Sequence, residues 1–307
     1  ELIPEVASRL TSLQDFFALR ASCRAYRALL PLTSSNLASQ APLLLVDIGS
    51  MPYALFHPTL RRIHRFDPIG CRLAICETEY MLPRGPPTRI SFSILHLLTG
   101  ERTCISSPPD RVSRVLLSGD LVLTLNWNPP QAIQYCHLEA ADWRVAAITQ
   151  PYSLVDLLYV NGVLYARAVG DLGCRLAVVE LSENEGSVEL VFLGGCWDDK
   201  PWARLAECCG ELLLVDLVES KRRTMWARVT SLGGCTLFVA NDHFVGCLGP
   251  DHRGIRGDSI YIIEDNYGGW YEYCLLDGSF TGSYPKCSRR EAPSEIWAFT
   301  WVLPSMC

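Results

Sequence analysis

Apolar residues recur at helical spacing at the start of the chain and in short, almost continuous runs everywhere after it. Leu2, Ile3, Val6, Ala7 and Leu10 fall on one face of a helix whose other face carries Glu1, Glu5, Ser8 and Arg9. That helix is expected to stop at Thr11. Ser12 followed by Asp15 is a capping-box pattern that opens a second helix, with Leu13, Phe16, Phe17 and Leu19 apolar. Cys23, Tyr26, Leu29 and Leu30 continue the period until Pro31 removes a backbone donor. The pattern predicts three short helices over residues 1–32. So short a segment cannot hide two phenylalanines, a tyrosine and several leucines by itself, so part of this face must be covered by the following domain or by a partner.

Residues 33–41 are small and polar and read as a linker, and residues 42–307 read as one β domain. Five segments start a strand on a glycine: Gly70, Gly119, Gly162, Gly210 and Gly257, spaced by 49, 43, 48 and 47 residues, the period of propeller blades. Apolar runs at 112–117, 154–160 and 205–209 precede three of them, which predicts a hairpin at each repeat, with tight turns at Gly119, Gly162, Gly210 and Gly257. Third strands are expected at 92–98, 133–138, 176–181, 225–229 and 270–276, and a final strand at 296–303 is expected to pair with the first. At roughly 45 residues per blade, the domain has about six blades, with five or seven as alternatives.

Composition narrows the function. Net charge −6 and pI ≈ 5.6 argue against a nucleic-acid partner, which needs a basic footprint. No apolar run is long enough for a membrane helix, and mean hydropathy +0.14 argues against disorder. Fourteen cysteines without a C-x-x-C read as mostly buried, reduced thiols, which suits the cytoplasm or nucleus. The six histidines show no metal-ligand spacing, so neither metal nor other cofactor is expected. Asp198 and Asp199 could be imagined as paired carboxylates of a hydrolase, but adjacent residues rarely converge on one atom, and Lys200-Pro201 marks a loop.

The run E-L-I-x-E-V-A-x-R-L, followed by L-x-D-F-x-x-L-R-x-x-C-R-x-Y-R, resembles the F-box, the motif by which substrate receptors attach to the Skp adaptor of cullin-type ubiquitin ligases. The resemblance puts adaptor-facing positions at Leu2, Ile3, Val6, Leu10, Leu13, Phe16, Leu19, Cys23 and Tyr26. Tyr26 stands where the family most often has tryptophan. The family's usual Leu-Pro pair would precede Glu1, which reads as a truncated start. Further on, Trp226-x-x-Val229-x-Ser-Leu-Gly233, Leu237-Phe238, Gly257-x-x-Ile260-Tyr261 and Ile296-Trp297 resemble the plant F-box-associated domain regarded as a kelch-like β-propeller.

Together these resemblances imply a mainly β protein: a three-helix F-box and a propeller serving as the substrate receptor of a plant SCF-type ligase. Such a chain contacts Skp and cullin through the F-box and an unknown protein through the propeller, and catalyses nothing itself. A propeller enzyme of hydrolase or glycosidase type and a non-ligase scaffold are the alternatives. The substrate is expected on the face of longer loops, through Trp127, Trp197, Asp198, Asp199, Trp202, Tyr267 and Trp270, because the glycine turns leave the opposite face little relief.

Overall fold

The computed structural model describes residues 2–10, 13–31, 43–46, 54–57, 62–65, 72–78, 90–96, 102–106, 108–110, 112–118, 120–126, 131–138, 142–182, 186–197, 203–216, 228–240, 243–250, 252, 255–264, 269–283 and 299–302. They form two compact units. Unit 1 comprises Glu1–Arg72, His96–Glu101 and Arg228–Cys307, and unit 2 comprises Leu73–Leu95 and Arg102–Ala227.

The three helices are α1 (Leu2–Ala7), α2 (Leu13–Ala21) and α3 (Arg24–Leu29). Helix α1 gives way to a tighter turn after Ala7, where Arg9 and Leu10 donate to the carbonyls three residues back. Ser12 of the expected capping box lies outside the described residues. Cys23 does not continue a helix: its backbone is extended, and its Sγ accepts the N–H of Tyr26 at 3.4 Å, so it caps α3. Arg20 Nε donates to the Leu30 carbonyl at 2.9 Å and ties α2 to the end of α3. Ala7, Phe16 and Leu30 are fully buried, with Phe17 edge-on to Phe16 at 5.8 Å.

The strands in chain order are β1 (Leu43–Val46), β2 (Ala54–His57), β3 (Arg62–Arg65), β4 (Arg72–Thr78), β5 (Ile90–His96), β6 (Arg102–Ile105), β7 (Val112–Ser118) and β8 (Leu121–Asn126). There follow β9 (Ala132–His137), β10 (Arg144–Ile148), β11 (Ser153–Val160), β12 (Val163–Gly170), β13 (Gly173–Ser182), β14 (Ser187–Trp197), β15 (Arg204–Cys208) and β16 (Glu211–Val215). The last six are β17 (Thr236–Val239), β18 (Phe244–Leu248), β19 (Ser259–Glu264), β20 (Gly269–Cys274), β21 (Phe280–Ser283) and β22 (Phe299–Val302).

In unit 2, β7–β10 and β11–β14 are two antiparallel four-strand meanders. They join at their last strands by a short parallel pairing, Ala147 opposite Ser187 and Ile148 opposite Val188. Their first strands also meet, so the eight-stranded sheet curls back on itself. One core fills both meanders: Leu123, Ile133, Tyr135 and Ala146 pack with Leu154, Leu164, Ala177 and Leu190. The turns are of the kind the glycine register demands. Asn161 and Gly162 carry φ 51° and 80° between the paired Val160 and Val163, and Cys209 and Gly210 carry φ 53° and 82° between Cys208 and Glu211. Two left-handed residues in a row match the twist of the flanking strands.

The fourth strand of each meander is absent from the sequence reading. β10 buries only alternate residues, and β14 absorbs Gly194–Trp197, which reads as a loop in the sequence.

In unit 1, β1 lies between β2 and β22, with Leu43 opposite Val302 and Val46 opposite Phe299, so the last strand does pair with the first. A second sheet runs β18-β17-β19-β20-β21. Here the glycine register misleads: Gly257 leads into β19, but β19 pairs in parallel with β17, so no hairpin turns at Gly257. Glycine is required there for space, because a Cβ would sit 2.5 Å from the Gly234 carbonyl oxygen. Of the strand expected at 225–229, Arg228 and Val229 lie outside any strand, and the rest lies outside the described residues. Buried Phe238 and Tyr261 stack at 5.1 Å across the parallel pair. Nearly all of a further sheet, β4-β5-β6, belongs to unit 2.

Candidate functional site

Exposure separates the nine positions on the helical face. Leu2 is 70% exposed and Val6 40%, both on α1. Ile3, Leu10, Leu19 and Tyr26 are half-buried, and Cys23 is exposed. Phe16 is fully enclosed, edge-on to Phe17, and does not offer its ring at the surface. The Leu13 side chain lies outside the described residues. Leu29, 51% exposed, adds an apolar residue that the motif reading did not place on this surface. Beside the apolar residues of α1, Glu5 and Arg9 form an exposed ion pair at 2.7 Å. Such a pair contributes at most about 1 kcal/mol, so the surface is defined by its leucines and valine, not by charge.

Of the loop residues expected to hold a substrate, Trp127, Asp198, Asp199, Trp202 and Tyr267 lie outside the described residues. Trp197 is the last residue of β14, opposite Cys174 of β13. Trp270 is 6% exposed in β20, opposite Ile263, and its ring belongs to the interior of its sheet.

Unit 2 does carry a half-buried aromatic group that the sequence reading passed over. Arg175 lies over the Phe192 ring at 4.1 Å, Tyr152 packs on the same ring at 4.6 Å, and Arg175 Nη2 donates to the Gly194 carbonyl at 3.4 Å. Arginine and aromatic rings are the residue types enriched in protein interfaces. Leu172, in the β12–β13 turn, is 84% exposed.

The polar groups inside unit 2 hold the meanders in place. Asp156, 1% exposed in the middle of β11, accepts from Arg114 Nη1 of β7 and from the Leu205 N–H of β15 at 2.7 Å. One carboxylate therefore ties the first strands of three successive hairpins. Burial pushes its carboxyl above the usual range, while Arg114, the Leu205 amide, Arg204 and Arg167 pull it back. The sequence signal was an aspartate inside an apolar strand run, with an arginine near the same place in the hairpins on either side, Arg114 and Arg204. Gln131 Oε1 accepts the Leu154 N–H at 2.7 Å, and the Gln150 amide bonds both backbone groups of Leu190, at 3.0 and 3.3 Å.

In unit 1, Asp258 accepts from the Ser231 hydroxyl at 2.7 Å and the Leu232 N–H at 2.5 Å, and these bonds hold its carboxyl below the ordinary value. Asp277 is held down in the same way, by the Ser279 hydroxyl and N–H and then by Arg256, 2.7 Å away. These three carboxylates stabilise backbone turns and arginines. The surfaces on offer are apolar and aromatic, suited to holding another protein.

The KIB1-4 beta-propeller family model matches residues 53–284, three quarters of the chain. No curated protein matches it.

Proposed function

The chain belongs to the KIB1-4 β-propeller family, and on that premise we propose that it is the substrate-recognition subunit of an SCF-type ubiquitin ligase. Helices α1–α3 dock on a Skp-type adaptor and through it reach the cullin, and the propeller presents a target protein. The chain acts as a receptor, and the transfer of ubiquitin is performed by other subunits.

The observation that carries this reading is the exposure of Leu2, Val6 and Leu29 on a helical module in which, among the described side chains, Ala7, Phe16 and Leu30 are fully buried. Apolar side chains left in water on so small a module are stabilised when a partner covers them. The order of helices agrees with the F-box resemblance, and a propeller behind it supplies a rigid frame for loops of varied sequence.

The test uses residues that the module does not need for its own packing. Leu2→Asp with Val6→Asp places charge in the docked surface and should weaken adaptor capture by about 2 kcal/mol or more. Helical content, read by circular dichroism, should stay at the wild-type level. Capture of a Skp-type adaptor by the double variant at wild-type strength would overturn the proposal. Phe16→Asp is unsuitable, because it would unfold the helices themselves.

A further inference from the structure

The docking reading makes no use of Cys208 and Cys209, two neighbouring thiols at the β15–β16 turn of unit 2. Cys208 is buried at the end of β15, and Cys209 is exposed as the first residue of the turn. Their Sγ atoms lie within 4.8 Å of each other. Cys209 has φ 53°, left-handed backbone that strains a residue with a Cβ and that asparagine tolerates best. The equivalent turn residue of the preceding hairpin is Asn161, at φ 51°. A thiol thus stands in a strained place where its neighbour uses the residue the backbone prefers. Strain kept at a chemically active side chain points to a function.

The turn is also fixed from two sides. Glu207 Oε1 accepts the Gly210 N–H at 2.5 Å, and Asn161 Nδ2 donates to the Gly210 carbonyl at 3.0 Å. Ligand groups on a turn held in this way give up little conformational freedom on capture.

We propose that Cys208 and Cys209 form a two-thiolate site for a soft monovalent metal ion of the Cu(I) class. Metal–sulfur bonds of about 2.3 Å allow one ion to bridge sulfurs up to about 4.6 Å apart, which this pair reaches with little movement. Thiolates select soft ions over hard ones. Each thiol releases its proton to solvent as its sulfur bonds the ion, and no electron is transferred. A disulfide between the same residues would need the sulfurs at about 2.05 Å across Cα atoms about 3.8 Å apart, closer than disulfides accept without strain. Structural zinc sites hold four protein ligands, and this turn supplies two.

The experiment titrates the reduced full chain with Cu(I) under nitrogen, in competition with a chromophoric Cu(I) chelator. Wild type should withdraw one equivalent from the chelator. Cys209→Asn keeps the turn in the form Asn161 already shows, and should weaken that equivalent by at least about tenfold, as should Cys208→Ala. Cys196→Ser, which removes an exposed thiol from β14, should leave it unchanged. A Cys209→Asn variant with wild-type circular dichroism and wild-type Cu(I) affinity would overturn the proposal. So would a wild type that takes nothing from the chelator, that takes zinc in preference, or whose Cys208–Cys209 peptide is found by mass as a disulfide.

Discussion

The helical module and the paired meanders of unit 2 spend their apolar residues in opposite ways. In α1–α3, Ala7, Phe16 and Leu30 are enclosed among the described side chains, while Leu2, Val6 and Leu29 remain in water. In β7–β14, apolar positions from all eight strands meet in a shared core, with Val145 and Val191 left exposed, and even the Asp156 carboxyl is enclosed and bonded on two sides. The contrast teaches where each region obtains its stability. The meanders hold most of theirs within the sheet, and under the proposed docking the module would complete its own on a partner.

The largest effect that could break this contrast is at Asp156. Asp156→Ala leaves Arg114 and the Leu205 amide without their acceptor in a buried setting and should cost about 3–5 kcal/mol, read as a fall in the urea midpoint at constant slope. A loss below about 1 kcal/mol would mean that the carboxylate does not join the three strands energetically.

A smaller effect sharpens the account of the turns. Gly210→Ala meets both a positive φ and the Asn161 amide 3.1 Å from the new Cβ, and should cost about 1–2 kcal/mol. Gly162→Ala meets the same backbone strain with nothing within 4 Å, and should cost less. Equal losses would show that contact between neighbouring hairpins contributes nothing.

The smallest expected effect is on the helical side. Val6→Ser should change folding stability by no more than about 0.5 kcal/mol in the free chain, because the side chain is already in water. A clear destabilisation would place Val6 in the module's own packing and remove it from the docking surface.

Much of this was legible in the residues, and the rest failed for identifiable reasons. Helical spacing of Leu2, Val6 and Leu10, and the arrest at Pro31, placed the helices well. Turn glycines at 162 and 210 placed two hairpins, because positive φ leaves few residue choices. Gly257 misled, since its lack of a side chain answers to the Gly234 carbonyl rather than to a hairpin. The strands Arg144–Ile148 and Ser187–Trp197 were missed because a strand buried on one side shows alternation, not an apolar run, and Gly194-Gly195 resembles a loop. Trp270 opens a strand the sequence does predict, yet its ring, read as a substrate anchor, is buried. An aromatic residue carries no mark in the sequence that separates anchoring a partner from filling a core. Asp156 was hidden for the converse reason, a single charge inside a stretch that otherwise declares itself apolar.

The pairing of β22 with β1 sets a condition on how the protein can be made. Val46 and Phe299 are partners about 250 residues apart, so the sheet around β1 cannot be completed until β22 has left the ribosome. Until then β1 carries an open edge that any extended segment could occupy. The entropy of closing so long a loop grows only slowly with its length, so the finished pairing need not be weak. Its cost falls on time: synthesis delivers β1 about 250 residues before the strand that seals it, and in that interval the nascent chain is open to aggregation.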